Sequence, residues 1–167
     1  YELGNNTATV CGLEDFNLTD IVIPSMLTYN GIDYTVTLVQ SMAFKNCDNI
    51  TSVVLPNNII SIGESAFLNC SNLESVVLPT NLETIGESVF RYCSSLQSVV
   101  IPKSVTSIRE YAFSHCKNLD NVQIESDIIR TIDDNTFYGC EKLRTITIPS
   151  SVETIGSCAF YCCSSLQ

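Results

Sequence analysis

Apolar residues recur along this chain in an order that repeats every 23 positions. Phe stands at 44, 67, 90, 113, 137 and 160, and Cys follows three positions later at 47, 70, 93, 116, 140 and 163; one interval is 24. Each unit opens on an L-x-x-V-x-L pattern, as in Leu73, Val76 and Leu78, whose last part alternates with period two like a half-buried strand. Ile50, Val53 and Leu55 hold the same places, as do Leu96, Val99 and Ile101, then Leu119, Val122 and Ile124, then Leu143, Ile146 and Ile148. Pro follows at 56, 79, 102 and 149 and ends the strand, because it has no amide to continue a ladder. A return limb comes next, carried by Ile59 and Ile62, Leu82 and Ile85, Val105 and Ile108, Ile129 and Ile132, and Val152 and Ile155. Gly63, Gly86 and Gly156 close it and suit a turn with positive φ, although Arg109 and Asp133 stand there in other repeats. The E-S-A-F-L-N-C segment at 64–70 then predicts one or two turns of helix at most.

A fixed period of this length marks a stacked solenoid, in which each unit is too small to bury a core alone. The predicted fold is an α/β right-handed solenoid of about six coils, roughly 30 Å long at the spacing of neighbouring strands. A parallel β-sheet lines its concave face and short helical or 3-10 segments its convex side. The small residue before each Phe (Ala43, Ala66, Val89, Ala112, Thr136, Ala159) lets coils approach closely, and the Phe fills the convex half of the core. Repeat five departs: Glu125 replaces Pro, and an extra residue within 125–128 predicts a surface loop.

The first coil is irregular. Leu18, Ile21, Ile23 and Pro24 match a strand, and Asn30-Gly31 between alternating apolar residues predicts a β-hairpin over 26–36. Residues 1–13, with Ala8-Thr9-Val10, are expected to add a strand over the N-terminal end of the core. The division expected is an N-terminal cap with its hairpin at 1–46 and regular repeats at 47–167. Leu166-Gln167 stops where another strand would begin, so the array is expected to be part of a longer one or to have an open edge available for self-association. A chain starting at Tyr1 is likewise expected to be processed or trimmed.

The combined pattern L-x-S-V-x-I/L-P-x-x-V/L-x-x-I-G-x-x-A-F-x-x-C, carried by residues 73–79, 82–90 and 93, resembles the BspA-like leucine-rich repeats. Tyr29 to Val36 resembles a hairpin common at the start of such arrays. The resemblance implies a leucine-rich-repeat solenoid of a cell-surface or secreted protein, associated with adhesion to host proteins and other cells. It carries no catalytic residues.

Composition narrows the reading further. Apolar residues make up 45% of 167 and charged residues only 16%, enough for a continuous core and against polyelectrolyte disorder. Eight Lys and Arg against 18 Asp and Glu never cluster, so no footprint for nucleic acid exists, and no apolar run is long enough for membrane insertion. Six of the nine cysteines sit one per coil, which favours a column of buried thiols over paired disulfides, and both over a metal site. Cys158, Cys162 and Cys163 read as a chance cluster. His115, the one histidine, reads as an exposed bystander, and Asp133-Asp134 as facing water. No cofactor is called for and no enzyme motif is present, so the chain reads as non-enzymatic. Sequons stand at Asn5, Asn17, Asn49 and Asn69.

If Val76 and Leu78 point inward, their neighbours point out. That outward column is Ser52 and Val54, Ser75 and Val77, Ser98 and Val100, Asn121 and Gln123, Thr145 and Thr147, flanked by Thr51, Glu74, Gln97, Asp120 and Arg144. An uncharged face with an apolar stripe is a candidate docking strip for a protein ligand. Plain duplication of good strand residues accounts for it equally well. The leading expectation is a protein-binding module; an intracellular scaffold, or a recognition domain of a protein with a catalytic part elsewhere, are the alternatives.

Overall fold

The computed structural model describes residues 1–13 and 17–167. Its strands in chain order are β1 (Glu2–Leu3), β2 (Thr7–Val10), β3 (Asp20–Val22), β4 (Met26–Tyr29), β5 (Ile32–Val39), β6 (Ser52–Val54), β7 (Ser61–Ile62), β8 (Ser75–Val77), β9 (Thr84–Ile85), β10 (Ser98–Ile101), β11 (Ser107–Ile108), β12 (Asn121–Ile124), β13 (Thr131–Ile132), β14 (Thr145–Ile146) and β15 (Thr154–Ile155). They wind as a parallel β-solenoid. The L-x-x-V-x-L segments give the column β3, β6, β8, β10, β12 and β14, and the return limbs give a second column, β5, β7, β9, β11, β13 and β15. Six strands in each column make about five full turns.

Register follows the sequence period. Val53 pairs with Val76 and Ile62 with Ile85 at steps of 23, while Ile108 pairs with Ile132 across the step of 24. The return limbs were read only as connections, yet they form the longer sheet. The first column, by contrast, is not the single sheet expected. It divides into β3-β6-β8 and β10-β12-β14, and β8 touches β10 without ladder pairing. A backbone bond from Gln97 N–H to the Glu74 carbonyl (3.2 Å) bridges the gap.

The helical or 3-10 segments expected on the back of each coil are absent among the described residues; successive turns take their place. The backbone bonds give the reason. In the coil at 65–70, the amides of Ser65, Phe67 and Asn69 donate forward to the carbonyls of Glu87, Val89 and Arg91 in the next coil. Those of Ala66, Leu68 and Cys70 donate back three residues to Gly63, Ser65 and Phe67. Every second amide therefore stitches coils together, and a helix, which directs all amides along its own axis, would leave those carbonyls unmatched. Ser65 (φ 56°) and Asn69 (φ 59°) are left-handed, which resets the chain after each turn.

Two further expectations change. Gly63, Gly86 and Gly156 are not among the positive-φ residues. A Cβ would instead strike the backbone of the preceding coil, at Ser41 for Gly63 and Asp134 for Gly156, and press on the Ile62 carbonyl at Gly86. The 125–128 corner is exposed at Glu125, Asp127 and Ile128 but buries Ser126, whose hydroxyl donates to the Val105 carbonyl (2.6 Å). The loop is thus pinned at its centre.

At the N-terminal end, β4 and β5 form the expected antiparallel hairpin, turning at Asn30 (φ 52°) and Gly31 (φ 76°) as a two-residue primed turn requires. β5 continues into the solenoid and pairs with β7. On its other side β2 adds in parallel, burying Ala8 and Val10 over the first coil, and β1 turns back antiparallel on β2. The core behind is continuous from Ala8 to Ala159. Phe44, Phe67, Phe90, Phe113 and Phe137 are fully buried and stack ring on ring with Phe160, at centroid spacings of 4.9 to 5.5 Å.

Candidate functional site

Five of the nine cysteines lie buried in the spine and are silenced by it, whereas Cys158 and Cys162 are exposed and Cys11 and Cys163 half-buried. Cys47, Cys70, Cys93, Cys116 and Cys140 are buried, and all nine cysteines are free. Each column thiol from Cys70 to Cys163 donates to the carbonyl of the Phe in the preceding coil, Cys70 to Phe44 at 3.0 Å and Cys93 to Phe67 at 3.2 Å. That carbonyl already accepts the amide three residues on, so both its lone pairs are used. Cysteine is therefore more than a small apolar filler here: it is the donor that ties each turn to the last. Burial pushes the Cys70 thiol up to about 12 and the Cys93, Cys116 and Cys140 thiols up as well, so none is a nucleophile at neutral pH.

His115 is not the exposed bystander expected. It is half-buried, stacked on Tyr92 (4.8 Å, 8°) and set edge-on to Tyr138 (5.1 Å), which stacks on Tyr161. Burial, then the charges of Arg91 and Lys117, hold its pKa below the usual imidazole value, against the pull of Glu141. Asp133 and Asp134 are half-buried as well, and the Asp134 carboxylate accepts the Ser157 amide. At the sequons, the side-chain amide of Asn49 donates to the Leu18 carbonyl and that of Asn69 to the Asn46 side chain.

The open face of the short strands presents a row of outward side chains, of which Ser52 donates to Asp20 and Gln123 to Glu125. Val54, Val77 and Val100 are 41%, 57% and 48% exposed, and Ser75, Ser98, Asn121, Gln123, Thr145 and Thr147 are exposed beside them; Ser52 is half-buried. Parallel register sets Val54 beside Val77 and Val100 beside Gln123, with the β8–β10 discontinuity between the two pairs. The column reaches one coil further than the sequence reading carried it. Val22 pairs in register with Val54 and is 73% exposed, and Asp20 pairs with Ser52. The alternation Asp20-Ile21-Val22 was the available signal, obscured because the next coil begins after a long insert. Hydroxyls of Ser52, Thr19 and Thr51 donate to the Asp20 carboxylate and hold its pKa below the usual carboxylate value, so this end of the stripe carries a fixed negative charge.

Thus the strip runs from a carboxylate through four valines to amides and hydroxyls, on rigid strands, with no ionised side chain along its middle. It can bury apolar area and exchange hydrogen bonds; it offers no acid–base pair. No helix of the described residues is long and apolar enough to cross a membrane.

Comparisons with known proteins agree with this architecture. A leucine rich cell surface protein of Faecalibacterium prausnitzii is 30% identical over 97% of this chain and 49% of its own, with a TM-score of 0.72. The T. pallidum Leucine Rich Repeat protein is 29% identical over 89% of this chain and 78% of its own, with a TM-score of 0.73. The pneumococcal vaccine antigen PcpA shares the fold, at 23% identity over 96% of this chain and 44% of its own and a TM-score of 0.76. The chain thus spans about half the length of the Faecalibacterium protein. No curated protein matches the sequence. The pattern of the BspA type Leucine rich repeat region matches in six copies, over residues 13–130 and 37–167, and the chain belongs to that family.

Proposed function

We propose that this chain is the non-enzymatic, protein-binding part of a cell-surface or secreted protein, and that it adheres to host or neighbouring-cell proteins through the short-strand face. Residues 1–46 form the cap and irregular first coil, which contributes Val22 to the face, and 47–167 form the regular repeats that carry the rest of it. The observation that carries the reading is the set of four valines, Val22, Val54, Val77 and Val100, held outward on a rigid scaffold. Leaving them exposed forgoes the burial that the rest of the pattern secures, and a partner restores it. Ser75, Ser98, Asn121, Gln123, Thr145 and Thr147 supply the polar rim that protein interfaces place around an apolar centre. The Faecalibacterium protein, described as a cell surface protein, supports the location.

The test is a Val77→Lys/Val100→Lys double variant. Binding of the intact chain to a panel of immobilised extracellular-matrix proteins and to cultured epithelial cells is measured alongside thermal melting. The wild type should bind at least one surface saturably, and the variant should bind about tenfold more weakly or worse while melting normally. Equal binding by a folded double variant would remove the strip as the site.

A further inference from the structure

Arg91 lies on the turn-built side of the array, away from the valine strip, and its surroundings are unlike those of any other cation in the chain. Its guanidinium sits 5.0 Å from the Tyr92 ring centre and 4.6 Å from that of Tyr111 in the next coil. Tyr92 in turn stacks on His115, and His115 meets Tyr138. With 18 acids to eight bases, a lysine or arginine here has many carboxylates to choose from, and Lys117 and Arg130 take Glu141 and Glu153. Among the described residues Arg91 takes none, like the five other cations outside those two pairs; what sets it apart is that its side chain makes only a long 3.4 Å contact to the Tyr92 hydroxyl while its Nε is buried with no acceptor.

Chemistry at the exposed rim follows from the stacking. Rings packed face to face hide their electron-rich faces and present positively polarised edges. Tyr92, 40% exposed, adds a phenolic O–H, and Lys117 one coil away adds a second cation that is shared with Glu141. A sugar ring needs an open aromatic face and finds little here, whereas a carboxylate meets ring edges, hydroxyls and a guanidinium held against two tyrosine rings. Tyr92 (φ 63°) and His115 (φ 60°) also occupy left-handed positions that Asn46, Asn69 and Gly139 fill elsewhere, so these two coils carry bulky side chains at a backbone cost.

We propose that Arg91, with the edges of Tyr92, Tyr111 and His115 and the nearby Lys117, forms a second docking surface that takes an acidic, Asp- and Glu-bearing segment of a partner protein. It is independent of the valine strip. A fluorescein-labelled glutamate dodecamer is titrated with the intact chain at low and physiological salt, and a heparin fragment is titrated in parallel as a sulfated glycan of similar charge. Saturable peptide binding that weakens with salt and drops by about tenfold or more in Arg91→Gln is expected. Arg91→Lys should recover only part of the loss, since an ammonium keeps the charge but not the planar, bidentate fork. Val100→Ser should leave peptide binding unchanged, which separates this surface from the strip. Absence of saturable peptide binding, equal binding by folded Arg91→Gln, or Arg91-dependent binding of heparin in preference to the peptide each overturns the proposal.

Discussion

Two aromatic columns share the array's turn-built side, one from the first coil to the last and the other over the last four coils, built on a similar ring spacing. The inner one is buried from Phe44 to Phe137 and half-buried at Phe160, uniform, and flanked by thiols that donate to its carbonyls. The outer one, Tyr92, His115, Tyr138 and Tyr161, is wet, mixed in residue type and ringed by Arg91, Lys117 and Glu141. Ring spacing is near 5 Å in both. Coil spacing sets it, so stacking alone says nothing about purpose. What differs is the surroundings: where nothing but its own neighbours touches a side chain, one residue is kept in every coil, and where water touches it the residue is free to vary.

The largest effect on this contrast is expected at alkaline pH, which acts chiefly on the buried thiols beside the inner column. A thiol whose folded pKa lies above its unfolded value adds stability that is whole below the unfolded value, near 9, and is lost as pH rises toward the folded one, about 12 for Cys70. Cys70, Cys93, Cys116 and Cys140 all shift in that direction through burial. With four protons held by the folded state and released by the unfolded one, stability should fall by up to ~5 kcal/mol per pH unit above the unfolded pKa. That is comparable to the whole stability of a domain. Urea melts at pH 7, 9 and 10 read the slope, and a Cys93→Ala/Cys116→Ala variant should flatten it by roughly half. A midpoint unmoved between pH 7 and 10 would mean the column is open to solvent.

Next in size is a paired substitution. Phe90→Ala empties the centre of the inner stack and should cost about 3–5 kcal/mol. Tyr92→Asn, two residues away on the outer stack, should change stability by no more than about 1 kcal/mol, because lost stacking is offset by a residue that suits a left-handed backbone. Denaturant midpoints of the two variants measure the contrast directly, and similar losses would show that the outer column carries load as well.

How far each column could be read from the sequence follows the same division. The inner one was plain, because Phe and Cys are invariant and the single 24-residue step is easily absorbed. The strip was legible from alternation except at Asp20 and Val22, where the hairpin insert hides the period. The helical reading of 64–70 failed because the alternation of amides between neighbouring coils is a long-range pattern with no local trace. The outer column was missed, although Tyr92, His115, Tyr138 and Tyr161 stand at uniform steps of 23. Aligning repeats on Phe puts Gly139 opposite His115, and so conceals that Tyr138 meets it.

The smallest expected effect is on the acid side and belongs to the outer column. Because the folded state depresses the His115 pKa, through burial first and Arg91 and Lys117 after it, the unfolded chain takes the proton earlier as pH falls. The stability concerned is whole above the unfolded value near 6.5 and is lost below it until the folded pKa is reached, with solvent screening keeping it under about 1 kcal/mol. His115→Gln should therefore melt with a shallower dependence between pH 7 and 5 than the wild type. As the chain has one histidine, its imidazole resonances report the folded pKa without ambiguity. Arg91→Gln should move that titration upward, since one of the two repelling cations is gone. An unchanged titration would place Arg91 too far from the ring to matter, and the outer column would then be a stack of independent side chains rather than one electrostatic unit.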